Sequence, residues 1–122
     1  ISDLTGLEYA LNLEVLYLEN NQIWDISPLT NLIGMRYLFL DNNYISDISA
    51  LANMVDMDHL FLINNDIGDI YPLANMTSLT ILYLNENQWI DQLDGTRLEW
   101  QCNMGYCPTD GVNELNAVIP ES

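Results

Sequence analysis

The sequence contains no lysine, and its only side chains able to carry positive charge are Arg36, Arg97 and His59. Against these stand 18 aspartates and glutamates, which give a net charge of -16. Nucleic acid is excluded as a partner, because clustered lysines and arginines are needed to neutralise a phosphate backbone. Anionic membrane surfaces are disfavoured for the same reason. We favour the interpretation that the negative charge keeps the protein soluble. The alternative is that it attracts a basic partner or bound cations.

Long apolar runs and catalytic motifs are also missing. No apolar stretch approaches the roughly 20 residues that span a bilayer, so we expect no membrane insertion. The sequence has no glycine-rich phosphate loop, no G-x-S-x-G and no H-E-x-x-H, and the lone His59 has no nucleophile assigned beside it. We therefore predict a protein that is not an enzyme and that binds no cofactor or metal.

Cysteine is scarce and confined to one place. Cys102 and Cys107 enclose a short loop that contains Gly105. This arrangement suits a small disulfide loop in a secreted protein. A metal site would need further ligands, and a redox site would prefer a closer C-x-x-C pair. We predict a disulfide, with two reduced buried thiols as the alternative.

What the sequence does contain is a repeat of 22 residues. A partial copy comes first, and full copies then begin at Leu13, Met35, Met57 and Leu79. Units of this kind bury their apolar faces by stacking, which predicts a solenoid. Alternating apolar residues predict a short strand in each copy, and the stacked strands would form a parallel sheet with a spacing of about 4.8 Å. The predicted core columns are Leu16, Leu38, Leu60 and Leu82; Leu18, Leu40, Leu62 and Leu84; Ile23, Ile45, Ile67 and Trp89; Ile26, Ile48 and Ile70; and Leu29, Leu51 and Leu73.

Two polar columns accompany the core. Asn21, Asn43, Asn65 and Asn87 follow the strands, where a buried amide can bond backbone groups of its own and the adjacent unit. Asp3, Asp25, Asp47, Asp69 and Asp91 offer carboxylates that could hold calcium. We favour a structural role for this column, because the aspartates precede short helical turns and no glycine-rich calcium loop accompanies them.

The frame LxxLxLxxNxI followed by xDIxxL, seen in LEVLYLENNQI and MRYLFLDNNYI, resembles the leucine-rich repeat, specifically the 22-residue subclass of bacterial internalins. The resemblance implies an α/β fold, a curved right-handed solenoid with a parallel β-sheet on the concave face and short 3₁₀ or extended segments on the convex face. It also implies that the concave face binds another protein. Residues 1–90 would form the solenoid and residues 91–122 an irregular C-terminal cap. These last residues do not look like the immunoglobulin-like segment that follows internalin repeats, so the host-invasion role is not carried over.

The strand side chains that alternate outward include one column made entirely of aromatic residues. Such a stripe is typical of an interaction site. We predict that it binds a protein ligand; the alternatives are a structural spacer, whose rings only stabilise the sheet, and carbohydrate recognition by the same rings. The predicted anchors are Tyr17, Phe39, Phe61 and Tyr83, and the residues predicted to set specificity are Tyr37, His59, Glu19 and Asp41.

The start of the chain adds two expectations. Ile1, Leu4 and Leu7 open the array with no polar cap before them, so we expect upstream residues or another molecule to cover this end. End-to-end self-association through it is one way to do so. Taken with the disulfide, these features predict a module that is secreted or displayed on a cell surface.

Overall fold

A computed structural model describes residues 1–84 and 86–87, with the side chains at positions 74 and 75 excepted. Several predictions fall outside these residues: the boundary between solenoid and cap, the cap itself, the disulfide, and the last members of two columns. The residues concerned are Trp89, Asp91, Cys102 and Cys107.

The described chain alternates short strands with short 3₁₀ helices. The four strands form one parallel sheet in the order β1-β2-β3-β4, and paired residues differ by one repeat length, as in Leu16 with Leu38. The predicted solenoid, with its sheet on one side and 3₁₀ turns on the other, is confirmed. The strands are β1 (Val15–Tyr17), β2 (Tyr37–Phe39), β3 (His59–Phe61) and β4 (Ile81–Tyr83), and the 3₁₀ helices are Leu7–Tyr9, Ser27–Leu29, Ser49–Leu51 and Tyr71–Asn75.

The aspartate column shapes the turns that lead into the 3₁₀ segments. The Ser27 N–H donates to Asp25 Oδ1 at 2.9 Å, and the Ser49 N–H makes the same bond to Asp47. Equivalent bonds join the Thr5 N–H to Asp3 and the Tyr71 N–H to Asp69. These are Asx turns, so the structural role predicted for the column is confirmed at these four positions.

A second asparagine column, which the sequence analysis did not single out, turns the chain after each strand. Asn20, Asn42 and Asn64 adopt φ values of 64°, 62° and 58°, and Glu86 takes the same place with 64°. Asparagine tolerates this left-handed conformation better than most residues. The Asn42 amide also donates to Asn20 Oδ1 at 2.7 Å, and Asn64 donates to Asn42 Oδ1 at 3.0 Å. The repeats are therefore tied together at the surface as well as inside.

The core lies between the sheet and the 3₁₀ segments, and the predicted columns fill it. Leu38, Leu60 and Leu82 are buried, whereas Leu16 on the first strand is half-buried, because no strand pairs with its outer edge in the described chain. Ile1 departs from its column and is 66% exposed. Two further core columns were not assigned from the sequence: Met35, Met57 and Leu79, and Leu32, Met54 and Met76.

Buried asparagines join successive repeats, as predicted. Asn43 donates its amide to the carbonyls of Leu18 and Leu40 at 3.0 Å and of Asp41 at 3.3 Å, and its Oδ1 accepts the Ile23 N–H at 3.0 Å. One side chain therefore bonds backbone groups of two repeats, and the Ile23 N–H would otherwise be buried unpaired. Comparable bonds recur at Asn65 and Asn87.

Candidate functional site

The four predicted anchor rings form a continuous column, here called the ring ladder (Tyr17, Phe39, Phe61 and Tyr83), on the outer face of the sheet. Successive ring centroids are 4.6, 4.8 and 5.0 Å apart, and the first two pairs are stacked. The spacing follows the separation of neighbouring strands, because the parallel register places each ring beside the next. The sheet thus brings together all four residues that the sequence placed in this column.

Exposure along the ladder is less uniform than the sequence analysis assumed. Tyr17 is 65% exposed, whereas Phe39, Phe61 and Tyr83 are half-buried. Phe39 has a stacked ring on each side, whereas Phe61 is stacked on Phe39 and tilted by 36° against Tyr83. These two inner rings are therefore more covered than Tyr17, which contacts one ring.

Beside the ladder runs the column that begins each strand. Tyr37 and His59 pack edge to face, with centroids 4.9 Å apart. His59 pairs in register with Tyr37 on one side and Ile81 on the other, as expected for a residue of the sheet. Val15 completes the column and is 38% exposed.

One position before each strand lies a mixed set of residues, here called the leading rim (Glu14, Arg36, Asp58 and Thr80). The Arg36 guanidinium is 3.9 Å from Asp58 and lies 5.4 Å from the centre of the Tyr37 ring. Asp58 also accepts a bond from the Thr80 hydroxyl and lies 3.6 Å from His59 Nε2. The rim was not predicted, because its members share a position in the repeat but no residue type. The change of residue type from one repeat to the next was the signal that could have identified it.

Past the ladder on the opposite side lies the trailing rim (Glu19, Asp41 and Ile63). The Ile63 N–H donates to Asp41 Oδ1 at 2.7 Å, which fixes the carboxylate. Burial raises the pKa of Asp41, and the negative charge of Glu19 raises it further, while the hydrogen bond from Ile63 lowers it. Both acidic residues predicted to set specificity are thus half-buried at the same margin of the ladder.

Elsewhere the described surface offers grooves but no chemical centre. Two shallow grooves flank the exposed Trp24 on the side of the 3₁₀ helices, lined by Asp3, Asp25 and Asp47 among others. Within residues 1–84 and 86–87, no three histidine, cysteine or acidic side chains are arranged to hold a metal ion. Over the same residues, no helix has the length and hydropathy to cross a membrane.

The short parallel strands, the asparagine column and the 3₁₀ turns define the leucine-rich repeat class of solenoids. The family described as "Leucine Rich repeats (2 copies)" matches residues 11–53 and 57–97. The chain belongs to the leucine-rich repeat family, and is an internalin-like bacterial member of it.

Three solved structures show how far the similarity extends. Internalin C2 (inlC2) from Listeria monocytogenes, known from a crystal structure, is 42% identical in sequence to this chain. The match covers 71% of this chain and 38% of the internalin chain, with a TM-score of 0.70. An internalin (inlF) from the same species is 35% identical. The match covers 71% of this chain and 32% of the inlF chain, with a TM-score of 0.59. A leucine-rich repeat protein of Leptospira interrogans, 23% identical with 62% and 20% coverage and a TM-score of 0.57, shares the fold.

This chain therefore spans less than two fifths of the length of either internalin that it matches. A comparison with curated proteins finds no match.

Proposed function

We propose that this chain is a non-enzymatic protein-binding module whose ring ladder contacts the partner. Leucine-rich repeat proteins related to internalins generally act as protein-interaction modules. The observation that carries the proposal is the uninterrupted column of four rings on the outer sheet face. Rigid aromatic side chains bury a large area at low entropic cost, which suits recognition.

The rims support the same assignment. Core and asparagine columns repeat nearly the same residue in every unit, as a scaffold requires. The leading rim instead presents a glutamate, an arginine, an aspartate and a threonine in succession. Because these positions lie outside the buried core columns, their variety suits a surface fitted to one partner. We assign specificity to Tyr37, His59, Glu19 and Asp41, and we extend the assignment to Arg36 and Asp58 because they contact Tyr37 and His59.

Area limits the strength of this binding. Four strands spaced by about 4.8 Å span about 14 Å, so the projected ladder covers about 300–400 Å². A standard interface buries about 800 Å² on each partner. We therefore propose weak or multivalent binding, or contacts that extend over the rims.

The stacking geometry weakens the carbohydrate alternative. A sugar ring packs against the face of an aromatic ring, but Phe39 has a stacked ring on each side and Phe61 has one stacked and one tilted neighbour. The spacer alternative is compatible with the stacking itself, since cross-strand aromatic contacts stabilise a sheet. Secretion or surface display remains part of the proposal, as does end-to-end self-association.

Affinity capture from cell-surface extracts tests the proposal. The full chain is compared with a variant in which all four ladder residues are changed to Ser, and with a milder variant carrying only Tyr17→Ser and Tyr83→Ser, in case the first does not fold. The matched control, Trp24→Ser with Tyr44→Ser and Tyr71→Ser, removes exposed aromatic side chains away from the ladder. Circular dichroism establishes the fold of each protein.

The expected result is a captured protein that the native chain and the control retain and the ladder variants lose. Equal capture by folded ladder variants, or no capture by any protein, would favour the spacer. Competition by free glycans would instead favour carbohydrate recognition.

A further inference from the structure

The two sides of the ring ladder differ in charge. Arg36 and His59, the side chains of the described residues that can carry positive charge, both lie toward the leading rim, where Asp58 is 3.9 Å and 3.6 Å from them. The trailing rim has Glu19 and Asp41 and, as its third member, the neutral Ile63. Negative charge on the leading side is therefore partly balanced within the protein, and on the trailing side it is not.

Glu19 and Asp41 are held side by side by the backbone. The Leu18 N–H donates to the Phe39 carbonyl at 2.8 Å, and the Asn20 N–H donates to the Asp41 carbonyl at 2.9 Å. The parallel pairing thus continues past β1 and β2, which puts equivalent residues of the two repeats about 4.8 Å apart. Both side chains are half-buried.

Two carboxylates at this spacing repel each other, and this repulsion contributes to a raised pKa of Asp41. Burial first, and then the charge of Glu19, raise the pKa of Asp41 in spite of the hydrogen bond from Ile63. That bond occupies Asp41 Oδ1, while a carboxylate can accept at several further positions. A cation from outside would relieve the repulsion and find the Asp41 carboxylate already fixed in place.

The distance between the rings and the two carboxylates indicates what kind of cationic group could contact both. Glu19 and Asp41 follow Tyr17 and Phe39 by two residues, a rise of about 6.6 Å along the strand. Lysine and arginine carry their charge at the end of an apolar stem that packs along apolar surface. A stem lying over the two ring edges would bring its charged end to the two carboxylates.

We propose, on the basis of the proposed function above, that the protein partner presents an arginine or lysine whose stem packs on Tyr17 and Phe39 and whose charge pairs with Glu19 and Asp41. The partner segment is thereby oriented, with its basic residue toward the trailing rim. Charge complementarity supports this occupant, because the chain has a net charge of -16 and no lysine of its own.

Selection from a display library of short random peptides tests the inference with a defined probe. The full chain is compared with the double variant Glu19→Gln and Asp41→Asn, and with the ladder variants described above. The control, Asp25→Asn with Asp47→Asn, removes the same charge on the opposite side of the solenoid and keeps an oxygen for each Asx turn.

We expect the native chain and the control to enrich peptides rich in arginine or lysine. These peptides should bind the Glu19→Gln, Asp41→Asn protein about five- to tenfold more weakly, as the loss of two solvent-accessible charge pairs predicts. Peptides that need the ladder but show no basic excess would overturn this inference and leave the proposed function standing. An equal loss in the control would also overturn it, because net charge alone would then explain the preference. No ladder-dependent peptide at all would refute the proposed function and this inference together.

Discussion

Leu60 and Phe61 are neighbours on β3, yet they belong to two differently organised surfaces. Leu60 is fully buried in a column of leucines, while Phe61 lies in the ring ladder between rims whose residues change from repeat to repeat. On the inner face the same contact is repeated, so each position is determined by its neighbours above and below. On the outer face only the rings are repeated, and the rims vary. Repetition on the inner face therefore follows from the packing of one repeat on the next, whereas the outer face combines a repeated ring column with rims that differ from repeat to repeat.

The largest effect should come from opening the inner face. Leu60→Ala should lower the free energy of unfolding by about 2–5 kcal/mol, because it leaves a cavity among side chains that cannot fully collapse. Urea denaturation followed by circular dichroism measures the change. A loss below about 1 kcal/mol would show that the inner face is loosely packed and would break the comparison.

The buried amides should come next. Asn43→Ala leaves the buried Ile23 N–H unpaired, which costs about 1–3 kcal/mol. It also removes bonds to the carbonyls of Leu18 and Leu40, which keep the Asn21 and Asn65 amides as donors, at about 0.5–1.5 kcal/mol for each lost bond. We expect unfolding free energy to fall by about 3 kcal/mol in the same urea experiment. Asn53→Ala, at an exposed position, is the control and should change stability by no more than about 0.5 kcal/mol.

Removing a ring from the outer face should cost less than either change. Phe61→Ser deletes contacts to rings 4.8 and 5.0 Å away, and cross-strand pairs contribute about 0.2–1 kcal/mol each, so we expect a loss of about 1–2 kcal/mol. The measurement is the same, which allows direct comparison with Leu60→Ala. If Phe61→Ser were as damaging as Leu60→Ala, the ladder would belong to the scaffold, as the spacer alternative requires.

The smallest effect distinguishes two aspartates. Hydrogen bonds from Ser49 lower the pKa of Asp47, whereas burial, with the charge of Glu19, raises the pKa of Asp41. Asp47 therefore adds stability above its unfolded-state pKa, and this is lost as pH falls through its folded-state value. Asp41 adds stability below its unfolded-state pKa, and this is lost as pH rises through its folded-state value.

Carboxyl carbon shifts recorded by NMR between acid and neutral pH give both pKa values, with Asp47 expected to titrate below Asp41. Acid unfolding of Asp47→Asn and Asp41→Asn should shift in opposite directions relative to the native chain. The contribution of the exposed Asp47 should not exceed about 1 kcal/mol, because solvent screens it. Coincident titration of the two groups would remove the distinction.

Periodicity predicted most of the scaffold because a single residue type at one spacing carries the signal. Leu38, Ile45 and Asn43 each recur after one repeat length, and inward orientation follows from strand alternation. The left-handed position of Asn42 was equally regular and could have been recognised from the paired asparagines of the first three full repeats.

The site was only partly predictable. Alternation placed Tyr17 and Phe39 on one face, but it could not show that stacking would leave Tyr17 exposed and Phe39 half-buried. Arg36 and Asp58 are dissimilar residues one repeat apart, and a search for recurring types passes over them. Their contact depends on side-chain conformations, which the register permits but does not dictate. Sequence therefore predicted which surface is available, and the structure was needed to show how its charges are arranged.

The hydrogen bonds of the Asn43 and Asn65 amides require that the repeat length stay constant. Every bond that they make reaches a group at a fixed offset along the sequence, so the scaffold is unchanged when it is shifted by one whole unit. Insertion of a complete 22-residue segment adds one strand and one more ladder position, and leaves every other contact in place. Insertion of a single residue within a strand reverses the side chains beyond it and separates the amides from their carbonyls. The length of the ring ladder can thus change only in whole steps of about 4.8 Å.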